Sequence, residues 1–283
     1  MNPDDALAER FEEQRAHLRS VAYRMLGSLS EAEDAVQETW FRLGRTDVSD
    51  VANLSGWLTT VTGRVCLDML RARRARREEL GDERLPDPIV AHDPEREVLV
   101  ADQVGIALMV VMETLAPVER LAFVLHDMFA VPFDEIAAVI DRTPAATRQI
   151  ASRARRRVKE SAPAADPDLD RQRRAVEAFL AAAREGDLEG LVAILDPDVV
   201  LRVDTGAGGA LRVVRGARNI AGQALMFRRI AGDIQTIVVN GGIGALNVTG
   251  GSAQSLMAVT VVNGRITTLD IIADPERLKD LGV

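Results

Sequence analysis

From residue 5 to about 160 apolar residues recur every three or four positions, and beyond that the pattern changes. In LSEAEDAVQETWFRL the residues Ala32, Val36, Trp40 and Leu43 fall on one helical face, and Asp34, Gln37, Glu38 and Phe41 on the other. Ser30 and Glu33 read as the capping box that opens this helix. NLSGWLTTVTGRVCLDMLRARRARREE predicts a long helix from about Ser55, whose last turns gather Arg71, Arg73, Arg74, Arg76 and Arg77. FDEIAAVID predicts a short amphipathic helix through Phe133, Ile136, Ala137 and Ile140. In TPAATRQIASRARRRVKE, Thr143 serves as N-cap and Pro144 takes the first helical position. Thr147, Ile150, Ala151, Ala154 and Val158 then face inward, and Ala145, Gln149, Ser152, Arg153 and Arg156 face outward. Arg148, Arg155 and Lys159 lie on the flanks. Two helices joined at Asp141-Arg142, the second one basic, make a helix-turn-helix.

Two Pro-rich, charged breaks divide the chain into residues 1–80, a linker 81–100, residues 101–160, a second linker 161–170, and residues 171–283. The last block begins with RQRRAVEAFLAAAREG, stopped by Gly186, followed by DLEGLVAILD. After these come runs of strand character: VVLRVD, ALRVVRG, IQTIVVN, SLMAVTVV and ITTLDIIAD, with one more helix near 217–230. Asn263-Gly264 marks a hairpin. The expected fold is multidomain: two all-α domains, the second with a helix-turn-helix, then an α+β domain with a mostly antiparallel sheet.

Composition narrows the classes. With 47% hydrophobic and 28% charged residues, wholesale disorder is excluded. The one cysteine, Cys66, lies in an apolar helical run and rules out an internal disulfide or a cysteine-rich zinc site. Nothing in the residues calls for a cofactor or a metal. No apolar stretch reaches the roughly 18 residues a membrane span needs, and the N-terminus is acidic, so a soluble cytoplasmic protein without a membrane partner is expected.

Charge supplies the functional hint. The net charge is −8, yet five arginines and a lysine crowd into residues 143–160. Small or flat polar residues near the start of that helix suit base edges, and the arginines beyond suit phosphates. Gln149 and Arg153 are placed to read bases, each worth about 1–3 kcal/mol of discrimination. Phe41, among Asp34, Gln37 and Glu38, asks for a protein to cover it.

The motifs carry a family resemblance. AYRMLGSLSEAEDAVQETWFRL resembles region two of the bacterial extracytoplasmic-function sigma factors, with the pattern AED-x-VQE-x-[FW]-x-R. GWLTTVTGRVCLDMLRARRARR is similar to the family's promoter-melting segment, with Gly63 where alanine or serine is common and Val65 where asparagine is common. LAPVERLAFVLHDMFAVPFDEIAAVIDRTPAATRQIASRARRRV resembles region four, its Leu-Pro-x-x-x-Arg opening changed to Leu-Ala-Pro-Val-Glu-Arg. The third block resembles the SnoaL-like cone fused to a subgroup of these factors. Three motifs of that subgroup are met in altered form. The linker "WLPEP" appears as Arg84-Leu85-Pro86-Asp87-Pro88, "NPDKL" as Asp274-Pro275-Glu276-Arg277-Leu278, and "DGGG" loosely within 204–209.

The resemblance implies a transcription initiation factor that binds core RNA polymerase and promoter DNA. Asp34, Gln37, Glu38 and Phe41 would meet the polymerase clamp helices. Asn53, Trp57, Arg64, Arg71, Arg73 and Arg74 would lie at the minus-ten element, with a flipped base held by the 47–55 loop. Ala145, Arg148, Gln149, Ser152, Arg153, Arg155 and Arg156 would meet the minus-thirty-five duplex. Residues Asp274, Pro275, Glu276, Arg277 and Leu278 form the expected regulatory contact. Arg202, Asp204, Arg228 and Asp270 are the candidate pocket of the third block, for a small-molecule ligand or for chemistry. With no histidine or tyrosine in that block, regulation is expected rather than an enzyme. Two other readings stay open: a ligand-sensing helix-turn-helix repressor, and a cyclase- or isomerase-type enzyme.

Overall fold

The computed structural model describes residues 3–48, 51–80, 84–91, 105–161, 165–206, 211–227 and 232–283. The chain forms two compact units: 1–80 with 111–161, and 81–110 with 162–283.

The first unit is helical. Helices α1 (Pro3–Leu26), α2 (Leu29–Leu43) and α3 (Leu54–Leu80) pack through Leu18, Val21, Met25, Val36, Leu43, Leu58 and Leu67. Ser28, extended and hydroxyl-bearing, accepts from the Glu31 amide and opens α2. This corrects the Ser30–Glu33 capping box: the cap lies two residues earlier, and Ser30 already stands in the first turn. Helix α4 (Ile106–Glu113) begins in the second unit and ends in the first. Helix α5 (Pro117–Phe123) runs into a π-helical turn, Val124–Met128, followed by α6 (Phe133–Ile140) and α7 (Pro144–Ser161). Asp141 takes the left-handed conformation (φ 53°) that ends α6, where no glycine is present. The Thr143 hydroxyl accepts from the Ala146 amide and caps α7.

The sequence reading kept the two helical blocks apart, yet α3 packs on both α5 and α6. Gly63 permits the first of these contacts. A Cβ there would stand 2.9 Å from Leu125 and 3.1 Å from Leu121. Arg120 is almost fully buried and donates to the Arg24 carbonyl (3.2 and 3.3 Å) and to Glu113 (2.5 Å). The Arg24 guanidinium in turn lies 4.8 Å from the Phe129 ring centroid.

The second unit is a seven-stranded sheet with helices. Helices α8 (Leu169–Glu185), α9 (Leu188–Ile194) and α10 (Ala217–Phe227) cover one face, and α11 (Pro275–Asp280) follows the last strand. The strands are β1 (Val90–Ala91), β2 (Leu195–Asp204), β3 (Arg212–Arg215), β4 (Asp233–Val239), β5 (Gly242–Thr249), β6 (Ser252–Val262) and β7 (Arg265–Ile272). Their order is β1-β4-β5-β6-β7-β2-β3, antiparallel except for the β2–β7 pair. Asn263 and Gly264, both at positive φ, turn the β6–β7 hairpin, and the Asp166 carboxylate accepts from both of their amides. Strand β5 was missed in the sequence, although Asn240-Gly241 before it carries the same turn signal at φ 49° and 71°.

Alternation along the strands sorts the two faces. Leu201, Ala245, Val259, Val261 and Leu269 face the helices, with Phe179, Leu191 and Ile220. Leu256, Ala258 and Ile272 face the other way and pack with Leu85, Ile106 and Leu278. Residues 84–91, read as part of a linker, thus form a strap across that second face. Proline removes helix from the strap but leaves extended backbone free to pair. Val90 pairs with Val239, and Ile89 and Asn240 exchange hydrogen bonds of 2.8 and 2.9 Å.

Candidate polymerase and nucleic-acid interfaces

Helix α2 buries Ala32, Ala35, Val36, Thr39 and Leu43. The turn of 100° per residue then leaves Asp34, Gln37 and Phe41 exposed. Phe41 is 49% exposed, and Glu38 beside it pairs with Arg42 at 2.9 Å. The ring is thus a half-exposed apolar patch bordered by the Asp34 and Glu38 carboxylates.

At the start of α3, Asn53 accepts from the Gly56 amide at 3.0 Å, so its side chain caps the helix. Asn53, Trp57, Thr60, Val61 and Arg64 line one side of a cleft of about 420 Å³. Glu135, Ala138 and Val139 of α6 line the other. Arg64, Arg71 and Arg74 are exposed. Arg73 is not. It donates twice to the Leu26 carbonyl at 2.9 Å and pairs with Glu31. This removes Arg73 from the expected minus-ten set, because its guanidinium ties the end of α1 to α2 and α3. The side chains of Arg76 and Arg77 lie outside the described residues.

On α7, Thr147, Ala151, Ala154 and Val158 are buried, and Ala145, Arg148, Gln149, Ser152, Arg153, Arg155 and Arg156 are exposed. Small residues inside let α7 sit close to α5 and α6, and so the opposite face stands clear. The arginines divide. Arg155 pairs with Asp127 at 2.6 Å and Arg157 with Glu119 at 2.9 Å. Arg148 lies 5.6 Å from the Phe133 centroid. Arg153 and Arg156 have no ion-pair partner among the described residues.

In the second unit the expected regulatory segment forms α11. Asp274 caps it by accepting from the Glu276 and Arg277 amides, and Leu278 is buried; Pro275 and Glu276 are exposed. Arg277 reaches the strap. It donates to Asp87 (2.6 and 2.9 Å), to the Leu85 carbonyl (2.5 Å) and to Asp204 (2.7 Å). The Leu85 amide donates to the same Asp204 carboxylate at 2.9 Å.

Of the candidate pocket residues, Arg202 and Asp270 form an ion pair at 2.8 Å. Asp204 and Asp270 are both buried, but on the strap side of the sheet. They alternate with Leu201, Val203, Leu269 and Ile271, which meet the helices. Burial pushes the Asp270 carboxyl up from its ordinary value, against the pull of Arg202. Arg228 lies outside the described residues. Cys66 is buried, and burial raises its thiol, as a core residue requires.

These features describe a helical unit with an acidic, partly apolar face and two basic faces, and an α+β unit. Residues 11–76 match the Sigma-70 region 2 family and residues 106–158 the Sigma-70 region 4 family. The chain is 40% identical to the ECF RNA polymerase sigma factor SigJ of Mycobacterium tuberculosis, over 94% of its own length and 91% of that protein. It is 33% identical to the probable ECF RNA polymerase sigma factor SigI of the same species, over 99% and 98% of the two chains. The crystal structure of Mycobacterium tuberculosis SigJ superposes with a TM-score of 0.73 at 37% identity, covering 96% of this chain and 98% of that one. The chain belongs to the extracytoplasmic-function sigma factors. Among the described residues no helix is long and apolar enough to cross a membrane.

Proposed function

We propose that this sigma factor acts in the cytoplasm and joins core RNA polymerase through the α2 face. It then selects promoters through two exposed surfaces, the cleft side of α3 and the outer face of α7. The observation that carries this reading is Phe41, half exposed among Asp34, Gln37 and Glu38. The repressor reading leaves that patch unexplained. Trp57, Arg64, Arg71 and Arg74 serve the minus-ten element, with Asn53 at the cleft. Ala145, Arg148, Gln149, Ser152, Arg153 and Arg156 serve the minus-thirty-five duplex. Helix α6 lines the α3 cleft in this state, so it leaves α3 before DNA enters there.

The second unit regulates rather than catalyses. Among its described buried carboxylates, Asp166 accepts from the β6–β7 turn, Asp204 is held by Arg277 and the strap, and Asp270 is paired with Arg202 through Oδ1. The test is reconstituted transcription with core polymerase. Phe41→Asp should lower transcript yield at least tenfold while circular dichroism is unchanged. Arg277→Ala, which removes three hydrogen bonds to the strap, should alter yield without altering affinity for polymerase. Full activity of Phe41→Asp would overturn the α2 reading, and unaltered output from Arg277→Ala the regulatory one.

A further inference from the structure

Asp270 presents an unfinished hydrogen bond beneath the strap. Its Oδ1 accepts from Arg202. Its Oδ2 is fully buried and has no partner among the described residues. A buried acceptor left unsatisfied is unfavourable, and native folds rarely leave one without water or a ligand in prospect. The carboxylate borders a cavity of about 10 Å³. On one side lie Leu256, Ala258 and Ile272 of the sheet, and on the other Leu85, Pro86 and Pro88 of the strap. That volume admits at most one water.

Among the described residues the strap's attachments include a two-residue ladder to β4, the Asn240 exchange with Ile89, the clamp formed by Arg277 and Asp204 on Leu85 and Asp87, and the packing of Leu85 on the sheet. Lifting it would join the small cavity to the apolar surface that Leu85 and the two prolines now cover.

The geometry points to a ligand site on the face of the sheet away from helices α8–α10, anchored by Asp270 Oδ2. Its ligand is a small apolar molecule carrying one N–H or O–H donor. Such a molecule competes with residues 85–88 for the same surface, so its binding and strap release are one equilibrium. The apolar walls favour a neutral ligand, since Arg202 already balances the carboxylate charge and burial opposes adding another. This goes beyond promoter recognition and rests only on the strap being separable from the sheet.

Isothermal titration of the full chain with indole, and with benzofuran as the isostere lacking the N–H, tests it without polymerase or DNA. Failure here therefore leaves the transcriptional reading intact. Indole should bind at least tenfold more tightly than benzofuran, because the isostere leaves Oδ2 unpaired. Asp87→Ala removes two of the Arg277 bonds to the strap. It should raise indole affinity about tenfold by enlarging the strap-free fraction. Indole should also speed tryptic cleavage after the exposed Arg84, followed as the peptide that begins at Leu85. Should Asp87→Ala prove poorly folded, the wild-type cleavage rate with and without indole decides alone. Equal binding of the two isosteres, no binding by either protein at millimolar ligand, or a cleavage rate indifferent to indole would overturn the site.

Discussion

RARRARR at 71–77 and RARRR at 153–157 look interchangeable as sequence, each an arginine cluster on the latter part of a long helix. Their uses differ. In α3, Arg73 turns inward and binds the end of α1 together with Glu31, while Arg71 and Arg74 stay outside. In α7 every arginine is exposed, but Arg155 and Arg157 are tied to carboxylates of neighbouring segments, and Arg153 and Arg156 stand clear. Charge density alone therefore does not identify a phosphate-binding arginine. What decides is whether a carboxylate or carbonyl from another helix lies within reach, and that is set by packing.

The strongest test of the comparison lies at Arg120, which joins Glu113 as Arg73 does. With 2% of its side chain exposed, Arg120→Ala removes the buried guanidinium from which the Arg24 carbonyl and Glu113 accept. Loss of one partner from a buried pair costs about 3–5 kcal/mol, to be read from urea unfolding of the full chain. Arg73→Ala should cost less, about 1.5–3 kcal/mol for its charge-assisted bonds, because 16% of its side chain meets solvent. The decisive feature is the pattern. Arg73→Ala should lower stability while promoter affinity, measured where the protein remains folded, stays within twofold of wild type. A large affinity loss in folded protein would return Arg73 to the DNA-facing set.

The outward pair should behave in the opposite way. Arg153→Ala should leave the unfolding midpoint unchanged and relax discrimination at one base pair by about 1–3 kcal/mol, seen by scanning minus-thirty-five variants with the reconstituted holoenzyme. Arg156→Ala should weaken all sequences alike and reduce the slope of log K against log salt by about 0.9. If both substitutions gave the same uniform loss, α7 would be a phosphate clamp without sequence reading.

Local periodicity was enough to find the faces. The outward sets on α2 and α7 follow from apolar positions three and four apart, because a helix core admits only one stripe. The strand character of the third block was equally visible. Partners distant in sequence were not. Arg73 finds Glu31 42 residues away, and Arg277 finds Asp87 190 residues away. Nothing in either local sequence marks such a pairing. The strap was hidden for a different reason: two prolines and two acidic residues around Leu85 read as solvated chain. The same prolines favour extended backbone that a sheet edge can accept. Strand β5 needed only a second use of the Asn-Gly rule, at 240–241.

The smallest effect is expected at Arg155, and it sharpens the comparison most. Arg155 is half exposed on the flank beside Arg156, yet Asp127 holds it at 2.6 Å. An exposed ion pair of this kind adds only about 0.2–1 kcal/mol to stability, so Arg155→Ala should scarcely move the unfolding midpoint. Its effect on DNA depends on what the carboxylate does. If Asp127 keeps the guanidinium, phosphate must displace it, and Arg155→Ala should change the salt slope clearly less than Arg156→Ala does. Asp127→Ala then releases a cation toward the duplex and should raise affinity at low salt with a steeper slope. Both outcomes come from one salt titration of three variants. Equal slopes for Arg155→Ala and Arg156→Ala, with Asp127→Ala silent, would mean that the pair dissolves on DNA and that all the exposed arginines of α7 act alike.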